Sequence, residues 1–214
     1  MTTHGYLSLT PPLALAVMEG RKTQTMRPVR PQLPDVSRWR DWTDRDWYTW
    51  SPLGMDVVRA PYATDDVLWV RESAMVMGYT PRGTRVTVQY DADGATREVP
   101  WPERLRPVEL GHRIPNGCHR EAARTYVRVL SVEPRRVQSI TEAEARAEGV
   151  PWGGPVFDVG APDEPVEAGG MSGSWAIPNF RHTWDSLYRR KGLGWDADPW
   201  CWMVRFERVE APHE

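Results

Sequence analysis

Apolar positions along the chain fall into short runs, and their spacing predicts several short strands with two or three short helices. Residues 66–71 (DVLWVR) are apolar almost without a break, the pattern of a central strand buried on both faces. Residues 125–132 alternate with the two-residue period of a strand, and 200–209 reads as the last strand. Residues 86–90 are placed to pair with a neighbour through the turn region at Asp93 and Gly94. The helices are marked at their ends. Thr10 as N-cap, Pro11 at the first helical position and Gly20 as the stop bracket about two turns of helix. Thr141 and Glu144 form a capping box for a helix within 139–149 that Gly149 terminates, and 180–188 reads as a further helix. Residues 21–28, basic and rich in threonine, predict an extended strand or an irregular turn.

Proline and glycine concentrate between these pieces and suggest one domain over 1–214 with insertions at about 31–62, 91–122 and 150–179. Residues 98–122 and 150–179 read as loops. In the first insertion Trp39, Trp42, Trp47 and Trp50 fall within an arc of about 140° if the segment is helical, at about 100° per residue. Such a face has two uses: it packs on the core, or it forms an aromatic lid over a flat ligand. The mixture of elements predicts an α+β fold, with a small closed or partly closed barrel as its sheet.

Composition narrows the classes. At 214 residues the chain can bury a substantial core, and a formal charge of −2 excludes a globally basic nucleic-acid binder while allowing a local basic cleft. No apolar run approaches the ~20 residues of a membrane helix, and residues 13–18 are too short and lack the basic flank of a signal peptide. Cys118 and Cys201 cannot build a disulfide framework, which points to a reducing, cytoplasmic setting. The five histidines show no paired ligand spacing, so no metal site is expected. No phosphate loop or nucleophile elbow is present. Twelve tryptophans exceed the tyrosines and phenylalanines together, and of the 27 basic residues only Lys22 and Lys191 are lysines.

That lysine scarcity draws attention to Lys22, which lies among Arg21, Arg27 and Arg30. Arginine keeps its proton in proteins, whereas burial or neighbouring cations can tune a lysine into a base; the competing role is an ordinary surface cation. Thr25 lies three residues on, and a lysine beside a hydroxyl activates a weak nucleophile. In a regular strand the two would face opposite sides, so the pairing requires a bulge or turn; otherwise Thr25 is a plain strand threonine. Glu148 falls in the last turn of the capped helix, where the helix dipole disfavours a carboxylate unless a cation is near or water solvates it.

The run GRKTQTMR at 20–27 resembles the G-x-K-x-x-x-x-R signature of the ASCH domain family, whose fold is related to the PUA domain. Other pieces are similar and fall in the family's order: the helix before the signature, the strand at 64–70, the TEAEARAEGV helix at 141–150 and the last strand WMVRF at 202–206. The segments WVRE at 69–72, WDS at 184–186 and DPW at 198–200 resemble ASCH proteins of phage and prophage origin. The resemblance covers roughly half of the chain. It implies a PUA-like small mixed β-barrel with flanking short helices. Threonine at the sixth signature position resembles the subset that are amidohydrolases removing the acyl group from N4 of acylated cytosine nucleosides without a cofactor. Their catalytic lysine, threonine and glutamate correspond to Lys22, Thr25 and Glu148. Arg27 would add positive charge, and Trp69 or an insertion tryptophan would stack on the base. Thr25 would be the nucleophile. Either Lys22 or Glu148 would take its proton. The other implied possibility is a non-catalytic RNA-binding module, with the basic cleft holding phosphate.

Overall fold

A computed structural model describes residues 3–33, 38–41, 43, 45–51, 54–80, 84–101, 109–114, 119–151 and 174–212. In chain order its strands and α-helices are β1 (Thr3–Ser8), α1 (Pro11–Met18), β2 (Gln24–Pro28), β3 (Arg38–Asp41), β4 (Asp46–Ser51), β5 (Gly54–Arg59), β6 (Val67–Arg71), β7 (Ala74–Tyr79), β8 (Arg85–Tyr90), β9 (Thr96–Pro100), β10 (Arg113–Ile114), β11 (Tyr126–Arg136), α2 (Glu142–Ala147), α3 (Ala176–Tyr188) and β12 (Trp200–Val209). The fold is therefore mixed α+β, dominated by sheet. Of the closed or partly closed barrel expected, the closed form is absent among the described residues, whose strand orders are β1-β6-β11-β12-β2, β10-β7-β8-β9 and β3-β4-β5. No described helix is long and apolar enough to cross a membrane.

Two interleaved units divide the chain, one comprising Met1–Thr23, Tyr62–Ser131 and Arg205–Glu214, the other Gln24–Pro61 and Val132–Val204. In the first, β1 runs parallel to β6 with Tyr6 opposite Trp69, and β6 runs antiparallel to β11 with Trp69 opposite Tyr126. Leu7, Leu68, Val70, Val127 and Val129 are fully buried on one face. Residues 66–71 thus hold a central strand, as their sequence predicts, but Trp69 and Arg71 are only half-buried on its other face. The hairpin expected at Asp93 and Gly94 is β8 with β9, and Gly94 takes φ 71°, a left-handed conformation that glycine adopts without a Cβ clash. Strands β9 and β10 correct the loop expected over 98–122. Their inward residues Val99 and Ile114 are single apolar positions, too few for a periodic signal, yet both join the core around Tyr90 and Trp101. Residues 102–108 and 115–118, Cys118 included, lie outside the described residues.

In the second unit α2 and α3 cover a core of Met26, Ala145, Val150, Phe180, Trp184 and Cys201. The capping box is formed as predicted: the Thr141 hydroxyl accepts from the Glu144 N–H and the Glu144 carboxylate accepts from the Thr141 N–H. Helix α3 begins four residues before the predicted start, because Pro178 lies in its first turn, where a missing N–H costs nothing. Most of the loop expected over 150–179 lies outside the described residues.

The tryptophan insertion is a three-stranded antiparallel sheet, not a helix. Trp39 pairs with Thr49 and Trp47 with Val58, so a two-residue period sorts the side chains. Trp39 and Trp47 share the inward face with buried Thr49 and Val58, while Trp50 points the other way. The Trp39 ring meets Trp200 at 5.4 Å and Trp202 at 5.6 Å, and Trp47 meets Trp202 at 5.9 Å. Of the two uses foreseen for these rings, Trp39 and Trp47 serve core packing. Trp42 lies outside the described residues.

Candidate active site

The signature segment starts where α1 stops. Gly20 turns the chain at φ 74°, and the N–H groups of Arg21 and Lys22 both donate to the Ala16 carbonyl at 2.9 Å, satisfying a carbonyl of the last helical turn. Lys22 forms a lone bridge, Thr23 belongs to no strand, and β2 begins at Gln24. The chain is thus irregular between Lys22 and Thr25, which is the local condition for the two side chains to escape strict strand alternation. Lys22 is only 2% exposed, so the surface-cation role is overturned.

Thr25 lies on β2 in the second unit and is 4% exposed. Alternation sets Gln24 and Met26 on one face of the strand and Thr25 and Arg27 on the other. The Thr25 hydroxyl makes no hydrogen bond to another described residue, and Arg27 is half-buried. Glu148 is the C-cap of α2, with φ −68° and ψ −10°, its N–H donating to the Glu144 carbonyl at 3.0 Å. It is 5% exposed, so water does not solvate it as the simplest account of a helix-end carboxylate requires. Buried lysines and carboxylates need compensating partners, and neither Lys22 nor Glu148 is without one. Helix α2 packs on β2 within the second unit, with Ala145 and Met26 in the same core.

The charge of Glu148 is felt at Cys201. Burial first, then the carboxylates of Asp198 and Glu148, push the Cys201 thiol far above its ordinary value. Its Sγ–H donates to the Pro199 carbonyl at 3.3 Å. Cys201 is therefore a protonated core residue and not a nucleophile. Trp69 belongs to the first unit, half-buried on β6, with its ring 5.6 Å from that of Tyr6.

One polar cluster in the first unit escaped sequence reasoning. Glu72, 2% exposed, receives Arg124 through Nη2 at 2.7 Å and Nε at 3.1 Å, and Arg124 reaches on to Asp93 at 2.8 Å. The guanidinium also lies 3.8 Å from the centroid of the Tyr90 ring. Glu72 is separated from Arg124 by 52 residues, so no local motif announces the pair. Among the described residues no group of three or more histidine, cysteine or acidic residues is gathered to hold a metal. Compared with protein-family models, curated proteins and solved structures, the chain matches none.

Proposed function

We propose that the protein is an amidohydrolase that cleaves the exocyclic amide of N4-acylated cytosine, cytidine or deoxycytidine. Thr25 Oγ attacks the acyl carbon and its proton leaves to Lys22 or Glu148. The C–N4 bond then breaks, N4 regains a proton and cytidine departs. Water hydrolyses the acyl-threonine, releasing a carboxylic acid and restoring the hydroxyl. The conjugated amine of cytosine leaves more readily than an alkylamine, which suits a nucleophile as weak as threonine. Arg27 contributes positive charge, and Trp69 is the aromatic partner assigned to the base.

The observation that carries this reading is the burial of Lys22, Thr25 and Glu148. All three polar side chains are enclosed, and the Thr25 hydroxyl makes no hydrogen bond to another described residue; polar groups are buried at a cost, and such groups concentrate at functional sites. Lys22 and Thr25 are also held by the chain itself, since three residues span at most ~11 Å between Cα atoms. The test is incubation of the protein with N4-acetylcytidine, following the ultraviolet change to cytidine. Turnover is expected, with Lys22→Met abolishing it. No turnover at high enzyme concentration refutes the assignment. The pH profile of wild type against Glu148→Gln identifies the proton acceptor, because the acceptor's ionisation limb disappears with it.

A further inference from the structure

The outward face of the insertion sheet carries side chains that neither the core nor amide hydrolysis uses. Cross-strand pairing sets Arg38, Trp50 and Met55 in one row across β3, β4 and β5, and Arg40, Tyr48 and Val57 in the next. Both rows read arginine, aromatic, aliphatic. Alternation turns them away from the face on which Trp39 and Trp47 meet Trp202. Strand positions that face water are ordinarily polar, yet Met55 is 55% and Val57 53% exposed.

Charge on this face is positive and uncompensated. Arg38, Arg40 and Arg59 are all exposed, and among the described residues none of them forms an ion pair. Arg59 stands opposite Asp46, but that carboxylate instead receives the Thr43 hydroxyl at 3.1 Å. The chain as a whole has a formal charge of −2, so the positive sign is a local feature. Exposed aliphatic groups beside unpaired guanidinium groups complement a surface that is both acidic and apolar.

We propose that this face docks an acidic, apolar segment of another protein, with its carboxylates on Arg38 and Arg40 and its apolar side chains over Met55 and Val57. Two strand spacings, about 10 Å, separate the arginines from the aliphatic residues, so one segment can meet both. Arginine, methionine and aromatic residues are the types enriched at protein interfaces, where tryptophan, tyrosine and arginine supply much of the binding energy. A second copy of the chain fits less well, because a two-fold contact sets the arginines of both copies in one interface. A nucleic acid also fits less well, since Arg38 already lies 4.5 Å from the Trp50 ring centroid and the aliphatic residues offer no stacking surface. The role of this face is independent of Lys22, Thr25 and Glu148.

Panning a phage-displayed library of short random peptides against the full chain tests this. The selected peptides are expected to be rich in aspartate, glutamate and apolar residues. Resynthesised with a fluorescent label, they should bind about tenfold more weakly to Arg40→Glu and to Met55→Ser, and binding to the wild type should weaken as salt is raised. Circular dichroism melts verify that each variant is folded, and if Met55→Ser does not fold, Arg40→Glu decides. Selection of no peptide, of peptides without acidic residues, or of peptides that bind the folded variants as well as the wild type overturns the proposal. So does binding of single-stranded oligonucleotide that Arg40→Glu abolishes, or self-association that Met55→Ser abolishes, each of which assigns the face to a different occupant. Hydrolysis of N4-acetylcytidine should be unchanged in both variants and is measured in parallel, so failure of either assignment is visible separately.

Discussion

Arg124 grips Glu72 through two nitrogens, Nη2 at 2.7 Å and Nε at 3.1 Å, in a pair whose carboxylate is almost wholly enclosed. A pair of this kind stabilises less by forming than it destabilises by being broken, because removal of one partner strands a buried charge. Arg124→Met should therefore lower stability by about 3–5 kcal/mol, and the double change Arg124→Met/Glu72→Met should recover much of that loss. Urea unfolding of the three variants measures it.

The same guanidinium gives Asp93 a pH signature. The hydrogen bond from Arg124 holds the Asp93 carboxyl below its ordinary value, against a smaller opposing effect of burial. A carboxylate with a depressed folded-state pKa contributes stability that is present in full above the unfolded value, near ~4, and is lost as pH falls through the folded value. Asp93→Asn should accordingly remove part of the acid-side slope below pH ~4 and leave the slope near neutrality unchanged. Thermal melts across that range, wild type against variant, provide the comparison.

The tryptophan insertion separates legible from illegible features. Four tryptophans spaced by three, five and three residues satisfy a helical arc, and only cross-strand pairing shows that Trp39 and Trp47 face inward while Trp50 does not. Trp39→Ala should cost about 3 kcal/mol by emptying its contacts with Trp200 and Trp202. Trp50→Ala, which removes a ring lying 4.5 Å beneath Arg38, should cost less than about 1.5 kcal/mol. Equal losses in chemical denaturation would contradict the strand register.

Legibility elsewhere follows the range of the interactions. The capping box of α2, the stop at Gly20 and the central strand at 66–71 are written in neighbouring residues and appear in the fold at those places. Strands β9 and β10 have too few apolar residues to signal themselves, and the pair of Glu72 with Arg124 bridges 52 positions. Whether strands close into a barrel is a long-range property that local patterns do not encode. For the candidate site, residue type drew attention to Lys22, spacing to Thr25 and the helix end to Glu148, but their burial is a tertiary property that appears only in the structure.

Cys201 supplies a chemical check on the second unit's core. Its thiol is buried, raised in pKa and bonded to Pro199, so it should resist thiol reagents in the native protein and react only on unfolding. Labelling in a Cys118→Ser background isolates it. Rapid native labelling would show that the core around Met26 and Phe180 opens readily.

The central claim is that Thr25 carries the acyl group, and mass spectrometry of acid-quenched mixtures with N4-acetylcytidine tests it most directly. Wild-type protein should yield a peptide acylated at Thr25, and Thr25→Ala should show neither that adduct nor turnover above about a thousandth of the wild-type rate. Wild-type turnover by Thr25→Ala, without an adduct at any residue, would contradict the account.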